Sequence, residues 1–217
     1  MGAFRTRDPV AYVIMFEKDD GERRYHGSEL LDGQVALRCY PSPFDALLDI
    51  SRNPAGVVGR EQSIVIHPVD ALRPEAGETP GYRPVIACVH VAWRACSGKL
   101  LIRPDGMPDA VLSTSSELES GDTVRELPGR LLRLVDEIHE QAGLFAWKET
   151  VNTFSDWSER DLRALAHQAW RDAPTMEADD AKPGFDQFAL FAPEFRQWHF
   201  VPAIEIMARC AAASARH

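Results

Sequence analysis

Short apolar runs bounded by turn residues fill much of the first hundred positions, and this pattern predicts β-strands. The run at residues 11–16 is followed by an Asp-Gly turn, which predicts a hairpin whose second strand is 22–26. The remaining strands predicted in this half are 34–40, 63–67, 84–94 and 99–103. Residues 84–94 carry apolar side chains on both faces, so we expect an interior strand paired with 99–103.

One helix is predicted within this strand-rich half, at residues 43–51. Ser42 is a suitable N-cap, and Pro43 suits the first helical position. Asp45 lies three residues after the cap, where its carboxylate completes a capping box. The helix is therefore expected to begin almost directly after the strand at 34–40.

Apolar residues recur every three or four positions in the second half, which is the spacing of amphipathic helices. The pattern predicts helices over 127–142, 158–170 and 202–213. His139 falls among charged residues of the first of these helices and is expected to be solvated. Acidic, turn-rich segments separate the predicted elements, and we expect them to be exposed.

Strands first and helices afterwards predict an α+β fold, with an antiparallel or mixed sheet from the N-terminal half and helices from the C-terminal half packed on it. The expected organisation is a mainly β region with one short helix over 1–103, an acidic connection over 104–126 and a mainly helical region over 127–217. The connection holds six acidic residues and one arginine. The pattern leaves open whether the two regions share one core and so form a single domain.

The best grouping of nucleophilic or metal-ligating residues lies on the predicted 84–94 strand. Cys88 and His90 point the same way on a strand, about 6–7 Å apart, within reach of one zinc ion or of each other as a thiolate–imidazolium pair. Cys96 and His67 lie nearby in sequence. However, Cys88 falls within an apolar face, where a cysteine behaves as a small hydrophobe. We therefore expect no metal and no cofactor, and Cys88, His90 and His67 are candidate catalytic residues only for an alternative in which the chain is a small enzyme.

Residues 185–200 are unusually rich in rings and directly follow an acidic segment, 172–186, with five acidic side chains and one lysine. Large rings contribute much of the energy of cores and of interfaces. One interpretation is that the rings cover the sheet. The other is that rings and carboxylates together bind a partner. The partner-binding residues would then be Glu177, Asp179, Asp180, Asp186, Phe188 and Trp198, with a second acidic candidate at 117–122.

Charge and cysteine content narrow the classes of function. The net charge is −9, with −1 in residues 1–100 and −8 in residues 101–217, so nucleic-acid binding is not expected. No apolar run reaches the ~20 residues of a membrane helix, and the first residues lack the apolar stretch of a secretory signal. With only four cysteines, we expect a cytoplasmic protein with reduced thiols that does not bind membranes.

These observations favour a soluble, acidic protein-binding module with a basic protein partner, for example an immunity-like factor that neutralises or regulates that partner. Arginine outnumbers lysine twenty to four, which is associated with GC-rich bacterial or phage genomes. No nucleotide-binding, serine hydrolase or zinc protease signature occurs. The pattern specifies no oligomeric state.

Overall fold

A computed structural model describes residues 11–18, 23–25, 27–29, 35–52, 62–68, 87–115, 129–178 and 184–214. The strands in these ranges are β1 (Tyr12–Lys18), β2 (Arg23–Tyr25), β3 (Gly27–Glu29), β4 (Val35–Tyr40), β5 (Gln62–Pro68), β6 (Ala87–Cys96), β7 (Lys99–Ile102), β8 (Ala110–Ser115), β9 (Thr175–Glu177), β10 (Gln187–Ala192) and β11 (Gln197–Pro202). The helices are α1 (Pro43–Arg52), α2 (Gly129–Gln141), α3 (Trp147–Thr153), α4 (Glu159–Arg171) and α5 (Ala203–Ser214). A mixed sheet built mostly from the N-terminal half, with helices mostly from the C-terminal half, confirms the α+β prediction.

Strand β6 is the interior strand of the sheet, as its two apolar faces predict. It pairs in parallel with β4 and antiparallel with β7, β8 and β10. The predicted pairing with β7 is confirmed by the Ala95–Leu100 register, and the predicted first hairpin by the antiparallel pairing of β1 with β2. The turn that joins β1 to β2 lies outside the described residues.

A β-bulge between His90 and Ala92 changes which side chains of β6 share a face. Regular alternation would place Trp93 on the face opposite His90. In the structure the two rings are in contact, with centroids 4.3 Å apart. The expected alternation along this strand is therefore wrong beyond the bulge, because an extra residue reverses the side-chain direction.

Helix α1 begins where the capping pattern predicts. The Asp45 backbone N–H donates to Ser42 Oγ at 3.0 Å, and the Ser42 hydroxyl donates to the Asp45 carboxylate at 2.6 Å. Phe44, Leu47 and Leu48 are buried from this helix. The cap therefore sets the helix start, and the apolar face holds the helix on the sheet.

The second half contributes strands that the sequence pattern does not predict. Ala110–Ser115, expected to be part of the acidic connection, forms β8 and pairs along β6. The aromatic stretch forms the β10–β11 hairpin, which joins the sheet through β6. Only pairing with β6 distinguishes the short, hydroxyl-rich β8 from a loop, since its own residues bury little apolar surface.

Buried residues from both halves form one hydrophobic cluster. Phe44 from α1, for example, lies against Phe154 and Phe191, with ring centroids 5.9 and 5.7 Å apart. Such contacts fix the position of α1 relative to the β10–β11 hairpin. Among the described residues, no helix has the length and apolar character needed to cross a bilayer.

Candidate functional site

Cys88 and His90, the candidate catalytic pair, are both buried, with 1% and 2% of their surface exposed. Burial raises the pKa of the Cys88 thiol and lowers the pKa of His90 to about 3. At neutral pH these shifts favour a thiol beside a neutral imidazole rather than a thiolate–imidazolium pair. The described residues contain no cluster of three metal-ligating side chains.

The other members of the predicted grouping lie apart from this pair. His67 is on β5, which is separated from β6 by β1 and β4, about 14 Å at the usual strand spacing. The His67 side chain is outside the described residues. Cys96 is at the far end of β6, with its Sγ 3.8 Å from Ser97 Oγ. The structure therefore does not bring His67 or Cys96 to Cys88 and His90.

His90 instead borders a buried polar cluster between β4, β6 and α1. Asp49 Oδ2 accepts a hydrogen bond from the Tyr40 hydroxyl at 2.5 Å and lies 3.0 Å from Arg38 Nε. The His90 ring lies beside the Tyr40 ring, with centroids 5.9 Å apart. Neither ring nitrogen of His90 has a hydrogen-bond partner among the described residues. Because Asp49 and His90 are both buried, we expect this cluster to affect the stability of the fold and not to contact a ligand.

An open pocket lies near the start of α1, between α2, α3 and the β10–β11 turn. The empty space between its lining residues is about 380 Å³, open solvent included. Four aromatic side chains form much of its wall, and hydroxyl, carboxyl and imidazole groups complete it. The lining residues are Ser42, Phe44, Asp45, His139, Leu144, Trp147, Thr150, Val151, Phe154, Phe191, Ala192, Pro193 and Glu194. A concave, largely apolar site with a few polar groups is the usual form of a binding site.

Two carboxylates face this pocket from different elements. Asp45 is half-buried in the first turn of α1, and its burial raises the pKa of the carboxyl to about 6, against the effect of the Ser42 hydrogen bond. Glu194 is exposed on the β10–β11 turn and accepts a hydrogen bond from the Thr150 hydroxyl. Because Glu194 is exposed and Asp45 is half-buried, one carboxylate lies toward the mouth and the other deeper.

His139 was expected to be solvated, and the structure corrects this. Its Nδ1 lies 2.8 Å from the Val135 carbonyl, and its ring stacks on Trp147 with centroids 4.6 Å apart. Burial lowers the pKa of His139 to about 4, although the Val135 hydrogen bond and nearby Asp136 and Glu194 act in the opposite direction. The helical pattern misplaced His139 because loop residues after α2 and the Trp147 ring cover it. The residue is therefore neutral at physiological pH.

Two exposed phenylalanines flank the pocket. Phe145, between α2 and α3, is 78% exposed, and Phe195, between β10 and β11, is 62% exposed. The two loops meet, because the His199 ring lies close to the Ala142 backbone and the Phe195 and His199 rings are in contact, with centroids 6.4 Å apart. We call the surface formed by Phe145, Phe195 and Glu194 the pocket rim.

Comparison with protein-family models, curated proteins and solved structures finds no match. The function is therefore inferred from the geometry of this chain.

Of the residues predicted to bind a partner, the four that the structure describes lie on different segments of the chain. Phe188 is 1% exposed and belongs to the core, which removes it from any contact surface. Glu177 is exposed on β9. Asp186 is also exposed, and its carboxylate accepts from the Ser97 backbone N–H at 3.2 Å. Asp179, Asp180 and residues 117–122 lie outside the described residues.

Trp198 is half-buried and belongs to the packing between β11 and α4. Its Nε1–H donates to the Ala169 carbonyl at 3.0 Å, and its ring contacts Trp170 and Phe191. Trp198→Ala is expected to lower the free energy of unfolding by about 3 kcal/mol, at the low end for a buried tryptophan because part of the ring is exposed. Urea unfolding measures this loss. A cost below about 1 kcal/mol would mean that Trp198 is a surface anchor instead.

Sequence reasoning recognised Asp45 only as a helix cap and did not single out Phe145 or Glu194. Phe195 belongs to the ring-rich stretch, but its position four residues after Phe191 and three before Trp198 gives no sign that it lies in the turn. The available signal for Phe145 was a large ring between Gly143 and Trp147, outside the apolar stripe of either helix. Such a ring indicates either a loop that covers the core or a contact surface.

Proposed function

We propose that the protein is a binding module that docks a basic polypeptide on the pocket rim. The observation that carries this proposal is the exposure of Phe145 and Phe195 on two loops whose adjacent residues, Leu144 and Glu194, line a pocket that holds two carboxylates. Large exposed rings next to a concave site are typical of interaction surfaces, where aromatic side chains supply most of the binding energy. The surface differs in its residues from the one expected from the sequence, but the class of partner is the same.

The arrangement of the loops supports a preformed surface. Thr150 on α3 donates to Glu194 on the β10–β11 turn, and His199 lies close to the segment after α2. These contacts restrain the β10–β11 turn, which carries Phe195, before a partner arrives. A preformed surface loses less conformational entropy on binding than a mobile one.

The charge of the region supports a basic partner. Glu140, Glu149 and Glu194 are exposed on the elements that surround the pocket. The positive charge of Lys148 is offset by an ion pair, since its Nζ lies 3.0 Å from Asp136 Oδ2. Arg196, beside Phe195, is an exposed basic residue of the turn. The balance remains acidic, in line with the net −8 of residues 101–217, and such a field speeds encounter with a positively charged partner.

The role we infer for this module is to neutralise or regulate its partner in the cytoplasm. Cys39 and Cys88 are buried free thiols, in keeping with a reducing compartment. An enzyme that uses Cys88 and His90 receives no support from their geometry, because both are enclosed and neither is poised in its reactive form.

A display experiment tests the proposal. Random peptides shown on phage are selected for binding to the wild-type protein and counter-selected against the double variant Phe145→Ser, Phe195→Ser. We expect enrichment of peptides that carry both basic and large apolar residues. A synthetic consensus peptide should bind the double variant about thirty-fold more weakly, as expected for the loss of a hot spot, and binding should weaken as salt rises.

The matched control is Ile204→Ser, which removes an exposed apolar side chain from α5, a helix that contributes no described residue to the pocket lining. It should bind the consensus peptide as the wild type does. Failure to enrich any sequence class, enrichment of acidic peptides, or equal binding to the double variant would each overturn the proposal.

A further inference from the structure

We propose that the pocket inside the rim receives one arginine side chain of the partner, with the guanidinium between Asp45 and Glu194. This inference rests on the proposed function and specifies the chemistry of the contact. It follows from three properties of the pocket: its charge, its aromatic wall and its size.

The charge of the pocket is uncompensated. Asp45 and Glu194 are carboxylates, His139 is neutral, and none of the described lining residues is a lysine or an arginine. Ser42 and Thr150 donate hydroxyl hydrogen bonds to the carboxylates but bring no charge. A cation that enters the pocket would therefore meet two anionic partners and no repelling charge among these residues.

The aromatic wall favours a planar cation. Phe44, Trp147, Phe154 and Phe191 line the pocket together with its carboxylates. A guanidinium is planar, weakly hydrated and able to stack on rings while its N–H groups donate to carboxylates, whereas an ammonium is a compact and strongly hydrated charge. Rings next to carboxylates therefore suit arginine better than lysine.

The size of the pocket suits one side chain. The space of about 380 Å³ between the lining residues includes open solvent, so the enclosed part is much smaller and admits no more than one side chain. Glu194, the exposed carboxylate of the lining, directly precedes Phe195 in the chain. A polypeptide lying on the pocket rim can thus direct one side chain inward while its neighbours contact Phe145 and Phe195.

Protonation of Asp45 predicts that cation binding in the pocket depends on pH. Three titratable groups among the described residues line the pocket: Asp45, His139 and Glu194. Three more lie behind the lining. Asp136 forms an ion pair with Lys148 next to Trp147, and His199 lies next to Glu194. Burial raises the pKa of Asp45 to about 6, so this carboxyl loses its charge as the pH falls through that value. Affinity for a cation should therefore fall between pH 7 and pH 5, and this part of the fall should be absent in Asp45→Asn.

The test uses N-acetyl-arginine methylamide as the probe and N-acetyl-citrulline methylamide as its neutral isostere. Binding to the full chain is followed by the NMR signal of the Trp147 indole N–H, assigned with Trp147→Phe. We expect the arginine probe to shift this signal and to bind at least about ten-fold more tightly than the citrulline probe. Asp45→Asn, whose amide oxygen still accepts from Ser42, and Glu194→Gln should each weaken binding by about ten-fold. Glu205→Gln removes an exposed charge from α5, none of whose described residues lines the pocket, and should have little effect.

The outcomes separate this inference from the proposed function. If consensus peptides bind through Phe145 and Phe195 but the arginine probe binds no better than citrulline, or Asp45→Asn and Glu194→Gln bind it as the wild type does, the inference is wrong and the proposed function stands. If the arginine probe binds in the pocket but no peptide requires Phe145 or Phe195, the proposed function is wrong. The pocket would then bind small cations and not an arginine side chain of a partner. Failure of both experiments overturns both proposals.

Discussion

Asp49→Ala is expected to lower the free energy of unfolding by about 3–5 kcal/mol, because it leaves buried partners without their acceptor. Arg38 would keep a largely buried charge with no counter-ion, and the Tyr40 hydroxyl would lose its acceptor. Both groups lie between α1 and the sheet, where water does not replace the lost contacts. Chemical denaturation monitored by circular dichroism measures the change.

Two further variants show whether the loss of stability in Asp49→Ala arises because the cluster is buried. Glu159→Ala breaks the exposed ion pair with Arg163, 2.6 Å in length, and should cost less than about 1 kcal/mol. The triple variant Arg38→Met, Tyr40→Phe, Asp49→Leu replaces the buried cluster with apolar groups and should recover much of the stability. An Asp49→Ala cost as small as that of Glu159→Ala would show that water reaches the cluster.

His90→Leu is expected to remove much of the sensitivity of the protein to acid. Burial and the charge of Arg38 lower the pKa of His90 in the folded state from 6.5 to about 3, so the unfolded chain takes up this proton first as the pH falls. The stability linked to His90 is complete above pH 6.5 and is lost progressively between pH 6.5 and about 3. At pH 4.5 the loss is about 3 kcal/mol, at 1.36 kcal/mol for each pH unit.

The difference between variant and wild type isolates this effect from other groups, since Asp45 and His139 titrate in both proteins. At pH 7 His90→Leu should also be more stable by about 1–3 kcal/mol, because two buried nitrogens without partners are removed. Urea unfolding at pH 7 and pH 4.5 gives both values. His167→Leu, at an exposed site on α4, is the control for the loss of one histidine. An unchanged acid slope in His90→Leu would mean that the imidazole binds a proton in the folded state.

The sequence pattern predicts correctly those elements whose structure depends on residues close to one another in the chain. The Ser42 cap fixes the start of α1, and two apolar faces identify β6 as an interior strand. Strand β8 depends on its pairing with β6, and the bulge after His90 depends on the register of that pairing. Neither feature is encoded within a short window, so neither could be predicted from spacing alone.

The candidate site was beyond prediction for a similar reason. Asp45, His139 and Glu194 are each about 50 residues or more apart in the chain and meet only after α1, α2 and the β10–β11 hairpin have packed. The sequence indicated acidity and rings in the second half, and the rim residue Phe195 comes from that stretch. Which of those rings face solvent depends on the strand register, which places Phe188 in the core and Phe195 in a turn.

The pairing of β6 with β10 also has a consequence for synthesis of the chain. Residues 93–95 of β6 bond to residues 187–189 of β10, so roughly ninety further residues must be translated before this part of the sheet is complete. At typical rates of ~5–20 residues per second, the interval is roughly 5 to 20 s. During that time the nascent chain carries an apolar strand whose final neighbour has not left the ribosome. Efficient production of the protein in a cell therefore depends on keeping β6 from associating with other chains before β10 is available.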